Sequence, residues 1–341
     1  MTANTTSPNS EPIFVGVDVG ATKTAVAIGT AGGHLRGRRV VATVLRDPER
    51  LADLVASTIN DLRRDAGTAP ITCVGIGICG GVDRDGLVHG PIALGWSGRV
   101  DFARLVAERV GVTAVIDNDV NAGAVAEHRW GAGRGCDDFM YLALGTGIGA
   151  GLVLRGELYR GARHLAGEIG HLSVDVDGVT CACGNRGCIE ASCGGKAAAE
   201  RLTARLLADE GLATSLRSVL AERGNVTTRD LFDHAKGGDA FARDEVARMG
   251  RHLAAAIVGV VNLLDVARVV VGGGQAQNGV LLPAIENALH AIRPYLDRGP
   301  DLVVPAGLGD DAGVAGAVGL AIEAFERRHD DHRAMEGGRV M

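Results

Sequence analysis

The chain reads as an α/β protein of two lobes. Strand clusters closed by glycine turns occur twice along its 341 residues, and helices follow each cluster. The first cluster runs Ile13–Val19 into Asp18-Val-Gly20 and Ile71–Ile78 into Cys79-Gly80-Gly81; the second spans 138–160. A hydrophobic fraction of 46% with only 3% aromatics means that both cores are built from Val, Leu, Ile and Ala.

Residues 1–12 hold no basic stretch leading into an apolar one and read as a disordered tail. Ile13–Val19 is an apolar strand, 24–28 its hairpin partner, and 38–44 continues the sheet. Pro48–Ala66 has helical spacing, with Leu51, Leu54, Val55, Ile59 and Leu62 on one side. Ile71–Ile78 is a buried strand, Phe102–Val110 a helix and 114–116 a short strand, after which Asp119 opens a helix over 120–129. Strands follow at 138–144, 150–154 and 158–160. A loop-rich stretch holds the cysteines from 161 to 195, and 196–264 is largely helical. The strand 267–271 stops at Gly272-Gly273-Gly274. A helix over 281–292, a strand over 302–305 and a helix over 312–325 close the fold. The pattern divides the chain into a small lobe, 13–118 with 310–328, a large lobe, 119–309, and a second disordered tail, 329–341.

Net charge is −6 and the pI is near 5.9, and no basic run provides a nucleic-acid footprint, so no nucleic-acid partner is expected. The apolar runs fall short of a membrane span. The expected location is the cytoplasm, where seven cysteines point to thiols or metal ligation rather than disulfides.

Three glycine motifs carry the chemistry. In Asp18-Val-Gly-Ala-Thr-Lys-Thr24, Gly20 permits a tight turn whose amides face phosphate oxygens. Thr22 adds a hydroxyl, Lys23 a positive charge and Asp18 a carboxylate for Mg2+. The spacing is not that of a Walker loop, and alone the motif is equally an ordinary hairpin. Leu144-Gly-Thr-Gly-Ile-Gly-Ala-Gly151 is a second such turn, with Gly145, Thr146 and Gly147 at its tip. A dinucleotide fingerprint fails there because 151–154 is strand-like where a helix is required. Gly272, Gly273 and Gly274 leave flat space suited to adenosine, and Gly313 and Gly316 repeat the pattern. His171, Cys181, Cys183 and Cys188 form a Cys3His set, the composition of a closed, structural zinc site. Cys73, Cys79, Cys136 and Cys193 have no evident partner and read as small buried residues. In Asp117-Asn-Asp119, either aspartate can take the proton of an attacking hydroxyl, or simply cap the helix.

Two separated turns bearing Thr, with a C-terminal glycine turn, resemble the actin-like ATPase and sugar-kinase superfamily. There two ribonuclease-H-like lobes enclose nucleotide and sugar in a cleft. The run from Gly145 to Gly170, with Gly161, Gly167, Glu168, Ile169, Gly170 and His171, and the segment Cys181-Ala-Cys-Gly-Asn-Arg-Gly-Cys-Ile-Glu190 resemble the ROK family over about residues 13–325. The resemblance implies an enzyme using ATP, Mg2+ and a structural Zn2+. It chooses Asp119 as the base, and it implies that Asn118, Gly80, Glu168, His171 and Glu190 join Asp119 in holding the sugar. It also implies closure of the lobes around the sugar, and a dimer or tetramer.

Two departures bear on the substrate. Cys79-Gly80-Gly81 stands where such kinases carry Pro-Gly, and Ala93-Leu-Gly-Trp96 lacks an expected Asn. The expectation is phosphorylation of the 6-hydroxyl of a hexose, glucose first. A kinase of an amino or otherwise modified hexose, such as 3-amino-3-deoxyglucose, is one alternative. A sugar-sensing, non-catalytic family member is the other, although such repressors carry a helix-turn-helix domain for which the sequence before Ile13 leaves no room.

Overall fold

The computed structural model describes residues 12–66, 70–90, 92–292, 295 and 299–337. The expected N-terminal tail lies almost wholly outside them. The chain forms two compact units, one of residues 1–134, 160–166 and 311–341, the other of 135–159 and 167–310.

The first unit is built on a five-stranded sheet in the order Leu35–Ala42, Lys23–Thr30, Ile13–Val19, Ile71–Ile78, Ala114–Asn118. The first three strands are antiparallel, and the last two join in parallel. Ile13–Val19 is buried at every position except Asp18, which lies at its C-terminal end. Two glycines let the C-terminal helix lie directly on this sheet. A Cβ at Gly16 would meet Val314 O at 2.3 Å, and one at Gly75 would meet Ala317 O at 1.9 Å. The other face packs on Pro48–Ala66 and Phe102–Val110 through Leu51, Val55, Ile59, Phe102 and Val106.

The helix Asp119–Trp130 packs on the C-terminal helix so closely that a Cβ at Gly316 would stand 1.9 Å from Ala122 O. It therefore belongs to the first unit, and the lobe boundary read at 118 moves to after Arg134. The C-terminal helix itself runs Ala312–Gly337, well past the point where the sequence reading ended it and began a tail at 329. Residues 326–336 contain neither Gly nor Pro, so nothing stops the helix there. Phe325 anchors it edge-on against Phe14, with ring centroids 5.7 Å apart. A small sheet of Gly81–Val82, Val88–His89 and Arg99–Val100 was not anticipated, because two-residue strands carry no readable period.

The second unit repeats the topology. Its sheet runs Glu157–Leu158, Ile148–Leu154, Phe139–Leu144, Arg268–Gly272, Val303–Pro305, again three antiparallel strands followed by two parallel ones. Helices from Ile189–Cys193 to Ala240–Leu264, and Leu281–Ala291, complete it. Among the described residues no helix is long and apolar enough to cross a membrane.

Candidate functional site

In the first unit, Gly20 N donates to Lys23 O at 3.0 Å and closes the turn between the first two strands. Thr43, just after the third strand, fastens this turn: its Oγ1 donates to Gly20 O at 2.8 Å and lies 2.9 Å from Thr24 Oγ1. Thr22 and Lys23 are exposed at its tip. Asp18, just before the turn, touches the start of the C-terminal helix; a Cβ at Gly313 would meet Asp18 Oδ2 at 2.5 Å. Burial pushes the Asp18 carboxyl up to about 6, helped by the like charge of Asp119 and opposed by Lys23 and Arg38. Burial, with Asp119 and Asp18 nearby, likewise pushes the Cys79 thiol up to about 12, so it stays protonated.

Asn118 and Asp119 sit where the edge strand Ala114–Asn118 turns into the helix Asp119–Trp130. Asn118 Oδ1 caps the helix by accepting from Val120 N at 2.9 Å and Asn121 N at 3.3 Å, and its Nδ2 donates to Gly80 O at 3.1 Å. Asp119 Oδ1 accepts from Val120 N at 3.0 Å. The neighbouring Asp117 is in a different position. It is buried, its Oδ1 accepts from Asn118 N at 2.8 Å and Asn121 Nδ2 at 2.7 Å, and its Oδ2 accepts from Arg160 Nε at 2.6 Å. Both its oxygens are committed to holding the fold.

In the second unit, Gly145 N donates to Gly147 O at 3.0 Å across the turn joining Phe139–Leu144 to Ile148–Leu154. The start of the helix Gly195–Ala208 abuts this turn, since Gly195 N and Lys196 N donate to Gly145 O and Thr146 O at 2.9 and 3.0 Å. Glu190 Oε2 accepts from Ile148 N at 2.9 Å. Gln275, a residue the sequence reading did not single out, is buried and joins two parts of the site: its Nε2 donates to Gly145 O at 2.8 Å and to Cys193 O at 3.1 Å. Just before it, Gly273 has φ 85 and a Cβ there would meet Leu144 O at 2.5 Å, whereas Gly274 faces open space. Gly316 is a packing glycine of the first unit, against Ala122, while Gly313 lies against the Asp18 carboxylate. Glu168 is exposed, and its carbonyl accepts from His171 N at 3.1 Å.

His171, Cys181, Cys183 and Cys188 converge, with their ligand atoms all within 4.8 Å of one another. Cys183 Sγ and Cys188 Sγ are 3.7 Å apart, and Cys181 Sγ is 3.8 Å from His171 Nδ1. Tetrahedral ligation by thiolates at about 2.3 Å sets sulfurs about 3.8 Å apart, close to the spacing of these two pairs, so the four residues could hold a divalent metal. The turn that gathers it is closed by Gly184 N donating to Cys181 O at 2.9 Å, with Gly184 at φ 92. The Asn185 amide draws the Cys183 thiol down to about 7, while burial pushes Cys188 up to about 12. Of the other cysteines, Cys73 and Cys193 are buried as expected, but Cys79 and Cys136 are only half-buried because both lie in loops.

The paired sheets, each three antiparallel strands extended by two parallel ones, define the α/β fold of the actin-like ATPases. The chain belongs to the ROK family, whose model matches residues 14–324. A glucokinase of Thermotoga maritima is 33% identical over 319 residues, 91% of this chain and 97% of the relative. A kanosamine kinase of Amycolatopsis mediterranei is 33% identical over 315 residues, 91% and 96% of the two chains. A ROK glucokinase from Streptomyces griseus, solved with glucose and AMPPNP, superposes with a TM-score of 0.77 at 29% identity, covering 91% of this chain and 99% of that one.

Proposed function

We propose that this chain is a kinase that transfers the γ-phosphate of ATP to the 6-hydroxyl of a hexose, glucose before other sugars. The observation that carries the reading is the contrast between Asp117, saturated by Arg160, Asn121 and Asn118, and Asp119, presented at the start of its helix. Asp119 accepts the hydroxyl proton as the sugar oxygen attacks the γ-phosphorus, and the bond from phosphorus to the β-bridging oxygen breaks to release ADP. Asn118 orients the sugar with the second hydrogen of its amide, the first being on Gly80 O. Asp18 holds Mg2+ or its water shell. Its raised pKa reports a carboxylate crowded by burial and by Asp119, a cost that a cation relieves. The turns at Gly20–Lys23 and Gly145–Gly147 offer amides and hydroxyls to phosphate oxygens. Of the three glycines expected to clear space for adenosine only Gly274 faces open space, since Tyr141 fills the space at Gly272 and Leu144 O that at Gly273.

His171, Cys181, Cys183 and Cys188 would hold a structural zinc, which would supply no chemistry to phosphoryl transfer. His171 Nδ1 faces Cys181, so with Nδ1 on the metal its Nε2 would remain for a sugar hydroxyl, while Glu168 and Glu190 supply carboxylates to others.

The relatives include both a glucokinase and a kinase of an amino sugar. Ala93 is exposed, so the amide expected there is missing. Arg46 stands beside that segment, with its N–H on Leu94 O at 2.8 Å and its Cγ over Gly95. Incubation with Mg-ATP and glucose, followed by phosphorus NMR of the product, tests the reading. A hexose 6-phosphate supports it, and phosphate on another hydroxyl or none with any sugar overturns it.

A further inference from the structure

The first unit holds a cavity of about 150 Å³, on the open side of the edge strand Ala114–Asn118. Val115, Ile116 and Asp117 form its floor, and Arg84, Arg160, His164 and Arg327 surround it. Its acidic members are already engaged. Asp83 accepts from His89 Nε2 at 2.7 Å and from Arg99, and Asp117 accepts from Arg160. Arg160 spends only Nε on Asp117; its two terminal nitrogens have no protein acceptor among the described residues. Among the described residues Arg84 has no ion-pair partner, and Arg327 reaches only Glu323, at 3.5 Å. His164 is held at φ 59, a conformation uncommon outside glycine that persists only where surroundings impose it. The cavity therefore concentrates positive charge without matching acceptors, and it is too small for a nucleotide, whose pockets start near roughly 300 Å³.

We propose that this cavity is a binding site for a small oxyanion, inorganic phosphate or the phosphate group of a phosphate monoester. Arg160 is its central residue, with Arg84 and Arg327 completing the charge and His164 a further donor. A planar guanidinium whose inner nitrogen grips Asp117 presents its outer nitrogens as a fork to such an anion. The anion is thereby linked to Asp119 by a short chain of contacts: Arg160 holds Asp117, Asp117 holds Asn118 N and Asn121, and these set the first turn of the helix that begins at Asp119. Arg160 and His164 lie in the segment 160–166, which belongs to the first unit although the chain on either side belongs to the second; that segment leads into Glu168. Occupancy thus touches both residues that precede the proposed base and the loop that carries a proposed sugar ligand. The binding claim stands without the kinase reading.

The test titrates inorganic phosphate into the full-length protein at low ionic strength by calorimetry, for the wild type and for the double variant Arg84→Ala, Arg327→Ala. Both residues are exposed and away from the proposed phosphate-transfer residues, so the variant should keep its circular dichroism and its basal turnover. The expected result is one phosphate bound by the wild type and binding weakened about tenfold or more in the variant. Arg84→Gln alone, the milder change, should weaken it less. No binding by the wild type, or equal binding by wild type and double variant, overturns the proposal. Phosphate bound at the proposed ATP turns would give the latter result, which separates the two sites.

Discussion

Ile148 N donates to Glu190 Oε2 at 2.9 Å, tying a carboxylate from the cysteine-rich loop to the strand that leaves the Gly145–Gly147 turn. A Cβ at Gly147 would stand 2.6 Å from the same oxygen. Gly147→Ala should therefore push Glu190 off Ile148 and leave the amide unpaired. The expected cost is about 1–2 kcal/mol of stability, together with a raised KM for sugar. Thermal unfolding and steady-state kinetics of the variant check both.

The Asp18 carboxyl rises from 3.8 to about 6 on folding. An acid with a raised folded pKa destabilises the native state once ionised. The cost is absent below pH 3.8, grows between 3.8 and 6, and is fully present above 6. Asp18→Asn should thus stabilise the ligand-free protein above pH 6, by roughly 1–3 kcal/mol, with the gain vanishing towards pH 4. The same change should weaken Mg-ATP use. Denaturant midpoints at pH 4 and pH 7.5 provide the measurement, and a gain of equal size at both would contradict the account.

Asp117 and Asp119 should respond oppositely to loss of charge. Asp117→Asn breaks a buried pair with Arg160 and should cost about 2–4 kcal/mol of stability, below the range for a fully buried pair because Arg160 is partly exposed. Asp119→Asn should leave the melting temperature within a few degrees of the wild type. Calorimetric scans of the two variants separate the roles.

Those two aspartates also mark where the sequence stops being informative. Strand ends, glycine turns and the Cys3His set are local patterns, and the first two strands, the helices Pro48–Ala66 and Phe102–Val110, and the converging thiols all follow from them. Asp117 and Asp119 are indistinguishable until Arg160, 43 residues away, is seen to hold the first. Gln275 carries no local signal for the same reason: its partners Gly145 and Cys193 are 130 and 82 residues distant. Gly316 looks like part of a nucleotide turn in sequence, and only its contact with Ala122 shows it to be a packing residue.

The cysteine cluster predicts one equivalent of zinc per chain. Cys183→Ser should lose most of it and lower the melting temperature, and prolonged treatment of the wild type with a strong chelator should do the same. Mass spectrometry of metal content reads the first effect directly. Zinc retained by Cys183→Ser at the wild-type level would refute the assignment.

The most direct test is ADP release coupled to a reporter enzyme, for the wild type and Asp119→Asn. Each is assayed with Mg-ATP and a panel of glucose, mannose, fructose, N-acetylated hexosamines and free amino hexoses, with sugar affinity measured alongside. The account predicts sugar-dependent release by the wild type, fastest with glucose, and a fall of about a thousandfold or more in Asp119→Asn with sugar binding retained. No sugar-dependent release by zinc-replete wild type would contradict the kinase reading and favour a sugar sensor. Near-normal release by Asp119→Asn would show that the base is another group.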